Sequence, residues 1–238
     1  MTADLLAPLR EAPERSALVL DVDGTLASIV PRPDLATVPD PTRAELARLA
    51  SRYLLVACVS GRTGADARRL VGVEGIRYVG NHGLELAAEA RELAARIADF
   101  RQAIGRPVED KGLTLAYHFR EEADEEAAQS DLEAVAERAR SAGLVTRWGR
   151  KVLEVRPPVE ADKGTAVETL LRESGATRGL YAGDDSTDLD AFRGLGSAGL
   201  EHAVRVAIAS DEAPRDLLGA ADLVLAGPEE LARLLSSL

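Results

Sequence analysis

Asp21 and Asp23 stand two residues apart, directly after the apolar run Leu18-Val19-Leu20 and before Gly24-Thr25. Side chains of a strand alternate between faces, so the two carboxylates start on the same side. Held that close they repel, and each raises the other's pKa unless a cation neutralises them. A hard cation with oxygen ligands, most simply Mg²⁺, meets that need. The same letters also suit a plain acidic turn, with Asp-Gly supplying the turn chemistry. The rest of the chain decides between the two. Ser60 follows a second apolar run, Leu54–Val59, and Asn81 and His82 follow Ile76–Val79. Lys163 stands at the start of a helical pattern, and Asp184, Asp185 and Asp188 follow Gly179–Ala182. In an open α/β sheet, ligands bind at the carboxyl ends of strands, and these residues fall at such ends.

The elements that must position them read as follows. Residues 2–11 suggest a leading helix, and 18–20 a buried strand. Asp40 before Pro41 suggests an N-cap with proline at the first helical position. A helix to Ala50, a strand over Tyr53–Val59, a helix capped by Thr63, and a strand over Ile76–Val79 continue the alternation, which implies a parallel sheet. The pattern then changes. Residues 88–105 carry Leu93, Ile97, Phe100 and Ile104 at helical spacing. Residues 113–120 alternate, with Leu113, Leu115, Tyr117 and Phe119 on one face and Thr114, Ala116, His118 and Arg120 on the other. An acidic helix over 122–142 and a hairpin of 144–148 with 151–156 across Gly149-Arg150 complete a separate α+β lobe. The parallel pattern resumes with a helix from Asp162-Lys163-Gly164 and the strand 179–182. Thr187 and Asp190 suggest a capping box for the helix after it. The strand 204–209, the helix 214–220, the strand 223–225 and the helix 228–236 end the chain. The expected organisation is core over 1–86, lobe over 87–158 and core again over 159–238.

Composition narrows the function classes. The chain has 238 residues, 46% of them hydrophobic but only 3% aromatic, and a net charge of −11. The hydrophobic fraction supplies a sizeable core of Leu, Val, Ile and Ala. The acidity argues against nucleic-acid or anionic-membrane partners, which need a basic surface. Cys58 is the only cysteine, which excludes an intrachain disulfide, and its apolar run marks it as a buried thiol. No apolar run approaches the ~20 residues of a membrane span, and Met-Thr-Ala-Asp-Leu-Leu lacks the basic start of a signal peptide. A cytoplasmic, monomeric protein is the expectation.

The order Asp-Val-Asp-Gly-Thr, Ser60, Lys163, Gly-Asp-Asp-Ser-Thr-Asp resembles the haloacid dehalogenase superfamily of phosphohydrolases. The resemblance implies a Rossmann-like α/β core of parallel strands with an inserted α+β cap. It also implies a Mg²⁺-dependent reaction through an aspartyl-phosphate. Asp21 is then the nucleophile, and Asp23 the general acid and later the general base. Asp21, the backbone carbonyl of Asp23, and Asp184 hold Mg²⁺. Ser60 donates to the transferring phosphoryl group and Lys163 neutralises it. Asp185 and Asp188 orient metal-bound water or Lys163.

Further stretches are similar to the trehalose-6-phosphate phosphatase family. These are Ser60-Gly61-Arg62, Gly80-Asn81-His82-Gly83-Leu84-Glu85, Glu109-Asp110-Lys111-Gly112 leading to His118-Phe119-Arg120, Val152-Leu153-Glu154-Val155-Arg156-Pro157, and 183–188. The similarity runs in order over about residues 17–195, and departs at Leu189, where the family usually has glutamate. It implies a phosphosugar substrate, trehalose 6-phosphate. Arg62, Asn81 and His82 on core loops, and Lys111, His118, Arg120 and Glu154 in the cap, are then its binding residues. A hydroxyl-rich ligand asks for such charged and bidentate groups. Blander readings stand beside these: a solvated sheet face for His118 and Arg120, a turn histidine for His82, and an ion pair for Glu154 and Arg156. Trp148 reads as cap core. The rival functions are a phosphatase of another phosphosugar, such as sucrose phosphate or a glycosyl-glycerate phosphate, a phosphosugar mutase, and a silent sugar-phosphate sensor.

Overall fold

The computed structural model describes residues 4–30, 32–119, 122, 124–149, 151–210 and 213–238. In chain order the elements begin α1 (Ala7–Glu11), β1 (Ser16–Leu20), α2 (Asp40–Ala50), β2 (Leu55–Val59), α3 (Gly64–Val71) and β3 (Arg77–Val79). Next come α4 (Ala88–Glu92), α5 (Ala94–Ile104), β4 (Glu109–Asp110), β5 (Leu115–His118), α6 (Glu125–Ser141), β6 (Val145–Gly149) and β7 (Val152–Arg156). The last set is α7 (Lys163–Ser174), β8 (Arg178–Gly183), α8 (Asp188–Ser197), β9 (His202–Ile208), α9 (Arg215–Ala220), β10 (Leu223–Leu225) and α10 (Pro228–Ser236). Two compact units result, one of residues 1–83 with 161–238 and one of residues 84–160.

The first unit is a six-stranded sheet in the order β10-β9-β8-β1-β2-β3, with every neighbouring pair parallel. Helices cover both faces of such a sheet, which is why its strands read as continuous apolar runs. All five residues of β1 are buried. Leu18, Leu20, Val56, Cys58, Leu180 and Val206 pack with Leu46 and Leu49 of α2 and with Leu231 and Leu235 of α10. On the opposite parity, Tyr181 of β8 meets Phe192 of α8 edge to face, with ring centroids 6.0 Å apart. β1 pairs with β2 on one side and β8 on the other. The chain leaves β1 in both directions along the sheet, and the carboxyl ends of these three strands form the crevice where ligands bind in such sheets.

The second unit is an antiparallel sheet, β4-β5-β7-β6. Leu115, Tyr117, Leu153 and Val155 pack with Ile97 and Phe100 of α5 and with Leu132 and Val135 of α6. Trp148 packs against this cluster and meets Phe119 edge to face. It is partly buried, at the border of that core rather than inside it. Ala116, His118, Val152, Glu154, Arg147 and Glu109 take the other parity, as the register of the ladder requires.

Several local readings need correction. Asp40 is the first residue of α2 and Pro39 holds the cap position, with no side-chain cap bond. The helix over 88–105 is two helices, because Leu93 at φ −91°, ψ 0° leaves the helical backbone. The expected strand 113–120 shortens to β5, since Gly112 at φ 75° and the Leu113 N–H to Lys111 carbonyl bond turn the chain first. Thr114 and Ala116, on the face opposite Leu115 and Tyr117, are buried as well. Thr187 makes no capping bond to α8. Its hydroxyl and N–H both donate to Asp185 Oδ1 at 2.6 Å, a nearer acceptor. Arg120, and Arg150 of the hairpin turn, lie outside the described residues. No helix among the described residues is long and apolar enough to cross a membrane.

Candidate active site

Asp21 follows β1 and is 4% exposed. Its N–H donates to the Ala182 carbonyl at 2.9 Å, which locks it against the end of β8. Asp184 and Asp188 come from just beyond β8, and one oxygen from each of Asp21, Asp184 and Asp188 lies within 4.8 Å of the others. Gly24 and Gly183 permit the crowding. A Cβ on Gly24 would stand 2.0 Å from Asp184 Oδ2, and one on Gly183 2.2 Å from the Asp188 carboxyl carbon.

Lys163 reaches this cluster from the first position of α7. Asp162 caps that helix by accepting from the Thr165 N–H at 2.8 Å, and the Thr165 hydroxyl accepts from the Asp162 N–H at 3.0 Å. An ammonium at a helix N-terminus opposes the helix dipole, so carboxylates must hold it there. Lys163 Nζ donates to Asp21 Oδ1 at 2.8 Å and to Asp188 Oδ1 at 2.7 Å. Burial alone would push the ammonium down, but Asp188 and Asp21 outweigh it and raise it above its ordinary value, so it stays charged.

The carboxylates remain in excess. Burial first, with help from Asp188 and Asp184, pushes Asp21 well above the usual carboxylate range despite Lys163. Burial and then Asp188 and Asp185 push Asp184 up to about 7. Asp185 is held below its ordinary value: Lys163 and the Thr187 donors overcome its burial. Asp188 is fully committed. Its Oδ1 accepts from Lys163 and from the Tyr181 hydroxyl at 2.7 Å, and its Oδ2 from the N–H groups of Asp184 and Asp185 at 2.8 and 2.9 Å. That division leaves Asp21 and Asp184 as the carboxylates that can turn oxygens to a cation, while Asp188 orients Lys163. Buried, oxygen-only donors under mutual repulsion fit Mg²⁺. Thr25 also steadies Asp184 through its hydroxyl, at 3.3 Å.

Asp23 is placed differently. The loop after β1 is tight: the Val22 carbonyl accepts from both Leu26 and Ala27 N–H at 2.9 Å, and Gly24 N–H donates to Ala27 at 2.7 Å. Strand alternation therefore does not run through residues 21–23. The Asp23 carboxylate goes to Arg62, whose Nε and Nη2 donate to its two oxygens at 2.7 Å each.

Ser60, 1% exposed, directly follows β2, and its N–H donates to the Val79 carbonyl at 2.9 Å. Its Oγ accepts from the Arg62 N–H at 3.2 Å. The Asn81 N–H donates to the Arg62 carbonyl at 2.7 Å, and the His82 N–H to the Ser60 carbonyl at 2.9 Å. Asn81 and His82 both adopt φ 52°, an uncommon left-handed backbone. A Cβ on Gly61 would lie 2.6 Å from the His82 ring, and one on Gly83 2.5 Å from the Asp162 carbonyl. The loop of Asn81 and His82 is thus clasped to the Ser60 loop and to the start of α7. Residues 21, 23, 60, 62, 81, 82, 163, 184, 185 and 188 gather at one sheet edge.

In the second unit, His118 Nε2 pairs with Glu109 Oε2 at 2.7 Å, and Lys111 Nζ lies 3.9 Å from the same oxygen. Glu154 stands opposite Ala116 on one side and Arg147 on the other. Tyr181 and Thr25 were not legible as site residues. For Tyr181 the signal was its parity with Gly183 on β8, which aims it at the residue after the turn.

A family model described as trehalose-phosphatase matches residues 19–96 and 91–217. The chain belongs to the trehalose-phosphatase family. A trehalose-phosphate phosphatase of Mycobacterium avium is 40% identical over 202 residues, covering 74% of this chain and 50% of that protein. A Mycobacterium tuberculosis protein described as an uncharacterized glycosyl hydrolase is 37% identical over 215 residues, covering 80% of this chain and 16% of that one. The chain thus spans half or less of these two relatives. The Candida albicans trehalose-6-phosphate phosphatase C-terminal domain superposes with a TM-score of 0.71 at 22% identity, covering 100% of this chain and 96% of that one. A haloacid dehalogenase-like hydrolase of Bacteroides thetaiotaomicron gives 0.61 at 16% identity, covering 93% and 98%. The fold is that of these haloacid dehalogenase-like enzymes. Within the trehalose-phosphatase family, the polar sheet edge of the first unit is the place to look for the chemistry.

Proposed function

We propose that this family member is a Mg²⁺-dependent phosphatase that converts trehalose 6-phosphate to trehalose and inorganic phosphate. The observation that carries the reading is Asp21: a buried carboxylate at the end of β1, touched by the Lys163 ammonium and crowded by Asp184. An Asp21 oxygen attacks phosphorus, and the bond from phosphorus to the sugar oxygen breaks. Asp23, entering this step as the carboxylic acid, gives that oxygen its proton and is left as the carboxylate. Asp23 then takes a proton from water as the water oxygen attacks the aspartyl-phosphate, and the Asp21–phosphorus bond breaks to release phosphate. Lys163 neutralises charge on the phosphoryl oxygens, and Ser60 Oγ donates to one of them. Asp21, the Asp23 carbonyl and Asp184 would hold Mg²⁺, which would supply further charge stabilisation. Asn81 and His82, with Lys111, His118, Arg120 and Glu154 of the second unit, are the proposed sugar-binding residues; the match to trehalose-phosphate phosphatases supports that choice of sugar.

The test is phosphate release with Mg²⁺ from trehalose 6-phosphate, sucrose 6-phosphate and glucose 6-phosphate, each beside Asp21→Asn. Preference for trehalose 6-phosphate, lost in the variant, is the expected result. Preference for another ester keeps the chemistry and discards the sugar. Binding without turnover contradicts the enzyme reading.

A further inference from the structure

Arg62 lies on the polar edge where a sugar-phosphate ligand would be sought, yet its side chain is already engaged with the chain itself. Nε and Nη2 meet the two oxygens of Asp23 at 2.7 Å each, and Nη2 also donates to the Pro33 carbonyl at 2.9 Å. Arg62 side-chain exposure is 18% against 42% for Asp23, so the guanidinium is the more enclosed partner. Its backbone is held at both ends, by Ser60 Oγ and by the Asn81 N–H. A planar fork on a planar carboxylate fixes direction as well as distance.

We propose that Arg62 is a positioning residue for Asp23 rather than a substrate ligand. It aims the Asp23 carboxyl group for proton transfer and ties that aim to the loop that carries Ser60. The inference rests on the proposed phosphatase reading. Asp23 sits in a tight glycine loop whose backbone is held by a single bridge to Ala27, and its carboxylate direction is set by the Arg62 fork. Arg62 supplies that constraint from the loop after β2. A carboxyl group that must protonate a leaving oxygen works only when it is aimed within hydrogen-bond reach.

The experiment compares wild type, Arg62→Ala and Arg62→Lys on trehalose 6-phosphate, phenyl phosphate and 4-nitrophenyl phosphate. The two aryl esters share a ring and differ in how much their leaving oxygen needs a proton. For Arg62→Ala, kcat/KM is expected to fall by up to about 100-fold on trehalose 6-phosphate and phenyl phosphate, the order that a misplaced catalytic group costs. It should fall less than about threefold on 4-nitrophenyl phosphate, which departs without a proton. KM for trehalose 6-phosphate should hold, added guanidinium should restore part of the lost rate, and Arg62→Lys should fall between, because a point charge cannot form the fork.

A loss confined to trehalose 6-phosphate and seen as raised KM overturns the proposal, since Arg62 then binds sugar. Equal losses on all three esters without guanidinium rescue also overturn it, since Arg62 then only supports the loop. If folded wild type cleaves the aryl esters but not trehalose 6-phosphate, the sugar reading fails alone and the aryl pair still decides Arg62. If wild type cleaves none of the three, the phosphatase reading and this proposal fall together.

Discussion

Asp188 shows what a single carboxylate does when all its oxygens are assigned. It holds Lys163 and Tyr181 on one oxygen and two backbone N–H groups on the other. Asp188→Asn leaves one acceptor where two are used, so its NH2 faces donors whichever way it turns, and it removes a charge partner from buried Lys163. Breaking a buried pair from one side costs about 3–5 kcal/mol, and the same change releases Lys163 from its aim at Asp21. The expected outcome is a drop in denaturation midpoint together with loss of most phosphate release; a stable, fully active variant would contradict the network. Tyr181→Phe should cost only about 1 kcal/mol, because Lys163 still satisfies that oxygen. Much of this was legible in the sequence. Asp21, Lys163, Asp184 and Asp188 stood at strand and helix ends, where reactive groups are expected. The Arg62–Asp23 fork was not, because a pairing between residues 39 apart leaves no periodic trace, and strand alternation stops at Leu20.

At the scale of elements, α7 and α8 set the distance from Lys163 to Asp188, and they do so through glycines. A Cβ on Gly194 would lie 2.1 Å from the Gly164 carbonyl oxygen, and a Cβ on Gly164 2.4 Å from the Asp190 carbonyl oxygen. Both obstacles are backbone, so the helices must part. Gly194→Ala should destabilise by about 1–3 kcal/mol and lower kcat as Lys163 shifts. Gly196→Ala in the same helix meets nothing within 4 Å and should be neutral or stabilising by up to about 1 kcal/mol. Thermal melts and kcat on the two variants check the contrast, and equal behaviour would count against the close crossing. Hydrophobic periodicity made these helices and the parallel strands readable, since each buries an apolar stripe. It did not reveal the two-residue β4, the break at Leu93 or the Thr187 contact, where short-range hydrogen bonds override pattern.

For the whole molecule, the uncompensated carboxylates tie stability to pH and to metal. Asp184 sits at about 7 in the metal-free folded chain against an ordinary value of 3.8, so between those values the folded state binds the proton more tightly than the unfolded one. Stability from this group is present at low pH and is lost as pH rises toward 7; Asp21, shifted the same way, adds to the trend. The carboxyls shifted downward, such as Asp222 beside Arg205, act below pH 4 and leave that window clear. Metal-free protein should therefore melt lower at pH 8 than at pH 5. Millimolar Mg²⁺ should raise the midpoint more at pH 8, where the ligands are ionised. Asp184→Asn should flatten both trends. The same melts address Cys58, whose buried thiol is pushed above its ordinary value: thiol reagents should label it only as the protein unfolds.

The central claim is that Asp21 carries the phosphoryl group. The most direct measurement is an acid-quenched single turnover of trehalose 6-phosphate with Mg²⁺, followed by mass spectrometry of the protein. The account predicts a transient phosphoryl group on Asp21, formed as trehalose appears and lost as phosphate appears, and absent from Asp21→Asn. Phosphate release without any phosphorylated protein, persisting in Asp21→Asn, would contradict it.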